Sequence, residues 1–277
     1  MNNKKRKILN IIALAIFIPS IILFVVHTIN DIFGQDDYDS ALDIAMNQSD
    51  VTEATTEPTV EVTEETRPPQ IYWIPEPIKD EDPYVAELEA IDLDALRAEN
   101  EDVIGWIMIP NTKINYPIMQ GEDNDFYLKH TWKKARNYMG SVFLEYRNNP
   151  DMADYNTIVY AHNMNNGTMF NNLWKFAKED FLKKNPYVYI LVDYGVLRYE
   201  VFSTYMAKLD DPTYGLSFNQ EQTRVNFLQH AKEKSMVETG IEPELTDLIL
   251  TLSTCTGTGH ASRRVVHARL KMMQIIE

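Results

Sequence analysis

An uncharged apolar run near the amino terminus constrains this chain more than any other feature. Residues 8–26 read ILNIIALAIFIPSIILFVV and contain no charged side chain. A helix of this length rises about 1.5 Å per residue and covers roughly 28 Å, close to the hydrocarbon thickness of a bilayer. The basic cluster KKRK at residues 4–7 precedes the run and acidic residues follow it, which predicts a cytoplasmic amino terminus. We therefore predict a cytoplasmic tail over residues 1–7 and an uncleaved transmembrane signal anchor over residues 8–29.

A cleaved signal peptide is the alternative for the same residues. Its apolar core is usually shorter and ends at a small-x-small cleavage site. Here the sequence ALA lies in the middle of the run, at residues 13–15, and VHT at residues 26–28 is a poor cleavage site. The anchor is therefore favoured. It predicts a single-pass cell-membrane protein whose remaining residues lie outside the cell.

Acidic residues are concentrated in the stretch that follows the anchor. The formal net charge is −15, and eleven Asp and Glu residues but no Lys or Arg lie between residues 8 and 66. A stretch of Asp, Glu, Thr and Pro buries little apolar surface and repels itself. We predict an acidic disordered stalk over residues 30–70 and a folded extracellular domain over residues 71–277. The negative charge also excludes the basic face on which a nucleic-acid partner would depend.

The pattern of the remaining 200 or so residues is rich in strands. An amphipathic helix is predicted at 84–100, shorter helices at 168–176 and 178–185, and a longer helix at 219–235. Eight predicted strands complete the domain, at residues 103–109, 113–119, 141–146, 156–162, 187–193, 198–209, 246–255 and 263–273. Eight strands with few helices predict a mainly β fold that closes, or nearly closes, into a barrel.

Cys255 is the only cysteine of the chain. A chain with one thiol forms no internal disulfide, and a lone thiol outside the cell is a liability unless it is buried or used. Alternation along residues 246–255 places Cys255 at the end of a strand, where functional groups are often displayed. On this stretch alone a buried structural cysteine is the more common alternative.

Two histidines and two arginines are candidates for acid–base and anion-stabilising roles. His162 ends an apolar strand and begins a polar loop. His267 shares a strand face with Arg263 and is the competing candidate for the catalytic histidine. Arg263 and Arg264 begin the strand after Cys255, and a guanidinium can bind an oxyanion through two N–H groups without changing protonation. A slip of one residue in register would exchange the two arginines. No spacing typical of a metal or nucleotide site occurs, so no cofactor is predicted.

The motif TLSTC at residues 251–255 resembles the T-L-x-T-C signature of sortases, the membrane-anchored cysteine transpeptidases of Gram-positive bacteria. The strand that ends at His162 is similar to the histidine segment of that family, and Arg263 in RRVVHARL is similar to its arginine. Residues 106–130, 140–149 and 162–176 and the helix at 219–235 resemble class B of the family. The resemblance extends from about residue 87 to residue 271.

The resemblance implies an eight-stranded sortase β-barrel with an amino-terminal helix and a long helix inserted before the cysteine strand. It implies Cys255 as the nucleophile, His162 as the general acid and base, and Arg263, in preference to Arg264, as the oxyanion stabiliser. Secreted proteins with a C-terminal sorting signal would be cleaved after Thr through a thioester and joined to the amine of a peptidoglycan precursor. Four residues are implied to form the peptide groove: Ser253, Thr254, Tyr205 and Tyr214.

Other functions stay open at this point. A pilin polymerase would use the same residues but a lysine amine of another pilin as acceptor. A catalytically inactive domain that only binds sorting peptides is disfavoured by the intact set of Cys255, His162 and Arg263. A papain-like protease is disfavoured because no C-G-S-C-W sequence surrounds the cysteine. The sorting motif, NPxTN-like, LPxTG-like or another, is not encoded in any pattern of this chain.

Overall fold

The computed structural model of the protein describes residues 3–46, 76–77, 82–256 and 259–276. Side chains are described for all of these except residues 3–17, 76, 255–256 and 259–261.

A closed β-barrel forms the body of the protein. Its strands, preceded by the two-residue strand β1 (Glu76–Pro77), are β2 (Val103–Met108), β3 (Asn115–Met119), β4 (Val142–Leu144), β5 (Asn156–Ala161), β6 (Tyr187–Val192), β7 (Gly195–Lys208), β8 (Ile249–Thr256) and β9 (Gly259–Ile275). Neighbouring strands follow the order β9-β7-β6-β2-β3-β4-β5-β8, and pairing of β8 with β9 closes the ring. Strand β1 pairs in parallel with β9 outside the ring. The predicted barrel of eight strands is confirmed.

The barrel closes around an apolar interior because its strands carry large side chains. Trp106, Ile107, Val159 and Leu252 are 0% exposed and belong to one continuous core. A second, smaller core lies under the helix α5 (Glu221–Lys234), where Phe227 and Ala231 pack with residues of β7, β8 and β9. The helix predicted at 219–235 is therefore confirmed, and it covers strands adjacent to the cysteine strand.

The other helices connect the strands on the outside of the barrel. A 3-10 helix (Phe170–Ala177) and α4 (Glu179–Lys184) lie at the two predicted positions. The helix predicted at 84–100 is instead two helices, α2 (Pro83–Glu89) and α3 (Leu93–Glu99). The prediction of one helix is wrong because the Asp92 side chain accepts a hydrogen bond from the Ala95 backbone N–H at 2.9 Å and begins a new helix there.

The amino-terminal helix α1 (Asn3–Met46) is longer than the predicted anchor. Among the helices of the described residues, this is the one that is long and apolar enough to cross a membrane, over Ile18–Met46. In the carboxy-terminal part of this helix Tyr38, Ala41 and Ala45 are 5%, 0% and 0% exposed against the barrel. Residues 30–46 were predicted as part of the disordered stalk, and this is wrong: apolar residues three and four apart form a buried helix face, with acidic residues on the other faces. The rest of the predicted stalk, residues 47–70, lies outside the described residues.

Candidate active site

Strand register brings the predicted catalytic positions together at one end of the barrel. Strands β5 and β8 are parallel, with Ala161 opposite Thr254, so the next residues, His162 and Cys255, lie at the same end of neighbouring strands. In the antiparallel pair β8 and β9, Cys255 lies opposite Arg263. Neighbouring strands are about 4.8 Å apart, so the three backbones form one row across β5, β8 and β9. The Cys255 side chain is outside the described part of the chain.

His162 is held in one tautomer by the backbone. Its Nε2 lies 2.8 Å from the Leu128 carbonyl oxygen. A carbonyl only accepts, so Nε2 carries the proton and Nδ1 is the nitrogen that can gain one. Burial lowers the pKa of His162 and the charge of Arg263 lowers it further, while the hydrogen bond to Leu128 opposes both effects. The imidazole is therefore neutral at neutral pH and able to accept a proton.

Arg263 and Arg264 point to opposite faces of β9, as consecutive strand residues do. Arg263 lines a surface cleft together with Ala161, the residue before His162. The guanidinium of Arg264 lies on the other side, where its Nη1 is 3.8 Å from the Met236 sulfur. Of the two guanidiniums, only that of Arg263 lines the cleft beside the row of candidate residues.

The cleft has a volume of about 310 Å³. Polar and apolar side chains share its wall: Asn124, Asp125, Leu128, Phe143, Glu145, Arg147, Tyr160, Leu209 and Tyr214 lie there with Ala161 and Arg263. A few residues of an extended peptide suffice to fill such a volume, and the mixture of aromatic rings and charges offers contacts to both its side chains and its backbone.

A buried carboxylate organises the wall of this cleft. Glu145 is 1% exposed and accepts hydrogen bonds from the Arg147 Nε and the Asn124 Nδ2, both at 2.6 Å. Burial disfavours its charge, but these donors outweigh that effect and hold the pKa of Glu145 below its usual value. The Tyr160 hydroxyl also reaches Glu145, at 3.3 Å. Glu145 is thus an anion that fixes three groups of the cleft.

The four predicted groove residues do not all reach the cleft. Tyr214 lines it, and its hydroxyl lies 3.0 Å from the Ser253 Oγ. Ser253 and Thr254 are 0% and 2% exposed within β8. Tyr205 is 2% exposed in the second core, with its hydroxyl bonded to Thr213, and it is not among the residues of the cleft wall. The structure therefore places Tyr205 in the core.

His267, the competitor of His162, is a core residue. It is 0% exposed, and its ring nitrogens lie 2.9 Å from the Thr251 Oγ1 and 3.1 Å from the Tyr205 hydroxyl. It pairs with Thr251 in β8, four residues before Cys255, which corresponds to about 13 Å along a strand. Burial lowers the pKa of His267 to about 3. This histidine lies in the core, well away from the strand end.

Sequence reasoning assigned no role to Asn124, Glu145 or Arg147. The signal that was available is the order of residues in GSVFLEYRNN at 140–149, where a carboxylate follows directly on three apolar strand residues. A Glu in such a position is rarely buried without partners. Its partners come from 21 residues away and from the next turn, so the pattern alone could not identify them.

Comparison with known proteins supports the same reading. A model of the sortase domain family matches residues 107–271. Sortase B of Listeria monocytogenes is 38% identical over 167 residues, which cover 59% of this chain and 67% of that protein. Sortase B of Staphylococcus aureus is 32% identical over 174 residues, which cover 62% of this chain and 71% of that protein.

Solved structures show the same relationship. A Staphylococcus aureus sortase B–substrate complex superposes with a TM-score of 0.61 at 32% identity, covering 67% of this chain and 84% of that one. Clostridium perfringens sortase B gives a TM-score of 0.61 at 33% identity, covering 67% of this chain and 100% of that one. The chain therefore belongs to the sortase family of transpeptidases, class B.

Proposed function

We propose that this sortase is a membrane-anchored cysteine transpeptidase that cleaves a C-terminal sorting signal of secreted proteins after Thr. The acyl group is held as a thioester on Cys255 and then passed to the amine of a peptidoglycan precursor. The observation that carries the proposal is the strand register that aligns His162, Cys255 and Arg263 beside one cleft. A sortase B–substrate complex among the similar structures supports a sorting-signal substrate.

In the first half-reaction Cys255 attacks the Thr carbonyl carbon. His162 is neutral at neutral pH and accepts the thiol proton at Nδ1, because its Nε2 is occupied by Leu128. The guanidinium of Arg263 stabilises the oxyanion of the tetrahedral intermediate. As the C–N bond breaks, the proton on His162 passes to the departing amine and a thioester remains.

The second half-reaction reverses the roles of the same groups. The acceptor amine attacks the thioester carbon, and His162 takes a proton from it. Arg263 again stabilises the oxyanion, and the Cys255 sulfur leaves and recovers the proton. One amide bond is broken and one is formed, with no net change in protons. Water could replace the amine, and the product would then be a free acid.

The anchor places this chemistry outside the cell. The apolar part of α1 has the length and composition of a single membrane span. The basic residues 4–7 precede it, which favours a cytoplasmic amino terminus. Secreted substrates and peptidoglycan precursors meet on that outer face, so the proposed topology brings enzyme, substrate and acceptor to the same side of the membrane.

The acceptor amine distinguishes the main proposal from a pilin polymerase. We propose incubating the full chain with a library of sorting peptides, followed by mass spectrometry of the acyl-enzyme and of the product formed with a peptidoglycan-type amine or a lysine peptide. A thioester on Cys255 that is resolved by the peptidoglycan-type amine is expected. Resolution by the lysine peptide alone would establish the polymerase instead.

Three variants test the catalytic assignment. Cys255→Ala is expected to abolish thioester formation while the circular dichroism spectrum stays unchanged. His162→Ala should lose both half-reactions, whereas His267→Ala should retain turnover when folded and lose stability. Transfer activity in Cys255→Ala would refute Cys255 as the nucleophile.

A further inference from the structure

Polar contacts attach α1 to the barrel at the point where its apolar stretch ends. The Tyr138 hydroxyl lies 2.8 Å from the His27 Nδ1 and is also bonded to Asp31. One turn later the Asn137 side chain donates to the Asn30 carbonyl at 2.9 Å. These contacts begin one residue after Val26, the last residue of the uncharged run.

The attachment continues along the helix. The Trp132 Nε1 donates to the Asp37 carbonyl at 2.6 Å, and the Thr131 hydroxyl donates to the Asp37 side chain at 2.6 Å. The Tyr38 hydroxyl donates to the Gly140 carbonyl at 2.6 Å. At the far end the Ala45 carbonyl accepts from the Asp92 backbone N–H at 2.9 Å. Contacts at successive turns fix the helix to the barrel as one unit.

The helix therefore sets the height of the barrel above the membrane. Asn30 is four residues beyond Val26, which is about 6 Å along a helix. A headgroup layer is roughly 5–8 Å thick on each side of the hydrocarbon core. The edge of the barrel that carries Asn137 and Tyr138 consequently lies at the level of the lipid headgroups.

This lipid-facing edge, defined as Lys129, Arg136 and Tyr138, has suitable chemistry. Lys129 and Arg136 are exposed, and neither forms an ion pair with a side chain in the described part of the chain. The Asn137 N–H donates to the Lys129 carbonyl at 2.8 Å, so the two stretches lie side by side. Tyr is enriched at membrane interfaces, and unpaired Lys and Arg attract anionic headgroups.

The opposite side of α1 extends the apolar surface at the same height. Ile29, Ile32 and Phe33 are 44%, 55% and 64% exposed. At 100° per residue they lie on the side of the helix opposite Asn30, Gly34 and Tyr38. Their exposure is explained if these apolar side chains lie where the acyl chains meet the headgroups.

We propose that the lipid-facing edge is a membrane-contact surface that rests on the anionic phospholipid headgroups of the outer leaflet. This inference rests on the proposed membrane anchoring by α1. It fixes the candidate site close to the leaflet, because Leu128, which binds His162, directly precedes Lys129 in the chain. The length of residues 47–75 does not set this height, since Ala45 and β1, at either end of that stretch, are both attached to the barrel.

Depth-dependent quenching tests the surface in the full chain. The chain is placed in nanodiscs of phosphatidylglycerol and phosphatidylcholine, in a Cys255→Ser background, with one fluorophore at Lys129→Cys or at Ala90→Cys. A nitroxide on the lipid headgroup is the quencher. Ala90 is the matched control because it is exposed and lies near the far end of α1, beside Asp92. Fifteen residues separate Asn30 from Ala45, which is about 22 Å of helix.

Strong quenching at Lys129→Cys and little at Ala90→Cys is expected. Replacing the phosphatidylglycerol by phosphatidylcholine should reduce the quenching at Lys129→Cys, and Arg136→Gln should abolish that dependence on anionic lipid. Deletion of residues 52–66 should leave the quenching unchanged. No quenching at either position, or equal quenching at both, would overturn the proposal.

Two further measurements separate this inference from the proposed function. Release of the full chain by alkaline carbonate would refute the anchoring, and with it the contact surface. Thioester formation on Cys255, measured in the wild-type chain, reports on the chemistry alone. If the wild-type chain is anchored and active but the fluorophore at Lys129→Cys is not quenched, only the contact surface is refuted.

Discussion

Acid should destabilise the fold through His267. Its imidazole is 0% exposed and packs among Phe202, Tyr205 and Phe227. Burial lowers its pKa to about 3; the charge of Asp211 acts in the opposite direction and His230 acts in the same direction. In the unfolded chain the ordinary His pKa is about 6.5. Below that value protons bind preferentially to the unfolded state.

The sign and size of the effect follow from this difference. A His whose pKa is lowered by folding contributes stability that is fully present above pH 6.5 and is lost as the pH falls. Each pH unit between 6.5 and the folded value costs about 1.4 kcal/mol. At pH 5 the loss from His267 alone is therefore about 2 kcal/mol, a large part of the stability of an ordinary domain.

The assay compares the wild-type chain with His267→Gln in a mild detergent. Urea unfolding is followed by tryptophan fluorescence at pH 7.5, 6.5, 5.5 and 5.0, since Trp106 and Trp132 are buried. The variant is expected to be less stable at pH 7.5, but the difference between the two proteins should shrink by about 2 kcal/mol at pH 5. His162, Glu145 and Asp211 also titrate with shifted pKa values, but they do so in both proteins. His130→Gln, on a surface loop, is the control. Parallel pH curves for wild type and His267→Gln would refute the argument.

Three further outcomes are expected. Arg263→Lys should lower the rate of acyl transfer by about 10²–10³-fold, because the bidentate geometry is lost while the charge is kept. Arg264→Lys should leave the rate nearly unchanged. The reverse result in a peptide-cleavage assay would place the oxyanion site on the other face of β9. Glu145→Gln should lower the free energy of unfolding by about 1.5–3 kcal/mol, since hydrogen bonds to a charged group are lost. A urea midpoint equal to that of wild type would contradict the role of Glu145 in the cleft. Gly195→Ala should be strongly destabilising, because φ is +152° and a Cβ would lie 2.0 Å from the Gln274 carbonyl oxygen. Gly240→Ala, with φ +70° and nothing within 4 Å of the added Cβ, should lower the free energy of unfolding by only about 1–2 kcal/mol. Similar thermal midpoints for the two variants would contradict the clash at Gly195.

The strands and the insertion of α5 were predictable because local pattern determines them. Buried strands read as short apolar runs separated by turn residues, and a helix of 14 residues is long enough to show its period. The break between α2 and α3 was missed because it depends on a single side chain, that of Asp92, which competes with the continuing helix for backbone hydrogen bonds. The packed part of α1 was missed because its acidic composition concealed three buried positions one turn apart.

The candidate site was only partly predictable for a different reason. The TLSTC motif and the residues around His162 and Arg263 pointed to the nucleophile and its partners. The choice between Arg263 and Arg264, and between His162 and His267, depends on which residues face each other across strands. Glu145 was not predicted because its role depends on Asn124 and Tyr160, which lie elsewhere in the chain.

By itself the sequence determined the elements of this protein: an anchor-length apolar helix, eight strands, and a lone thiol at a strand end. Only the tertiary structure decided which elements meet. Pairing of β5 with β8 joins stretches some ninety residues apart and sets His162 beside Cys255. Packing of α1 against the barrel makes residues 30–46, predicted as part of the stalk, a fixed helix. Local patterns arise from the period of one helix or strand, whereas register and docking are set by side chains that become neighbours only when distant parts of the chain pack together.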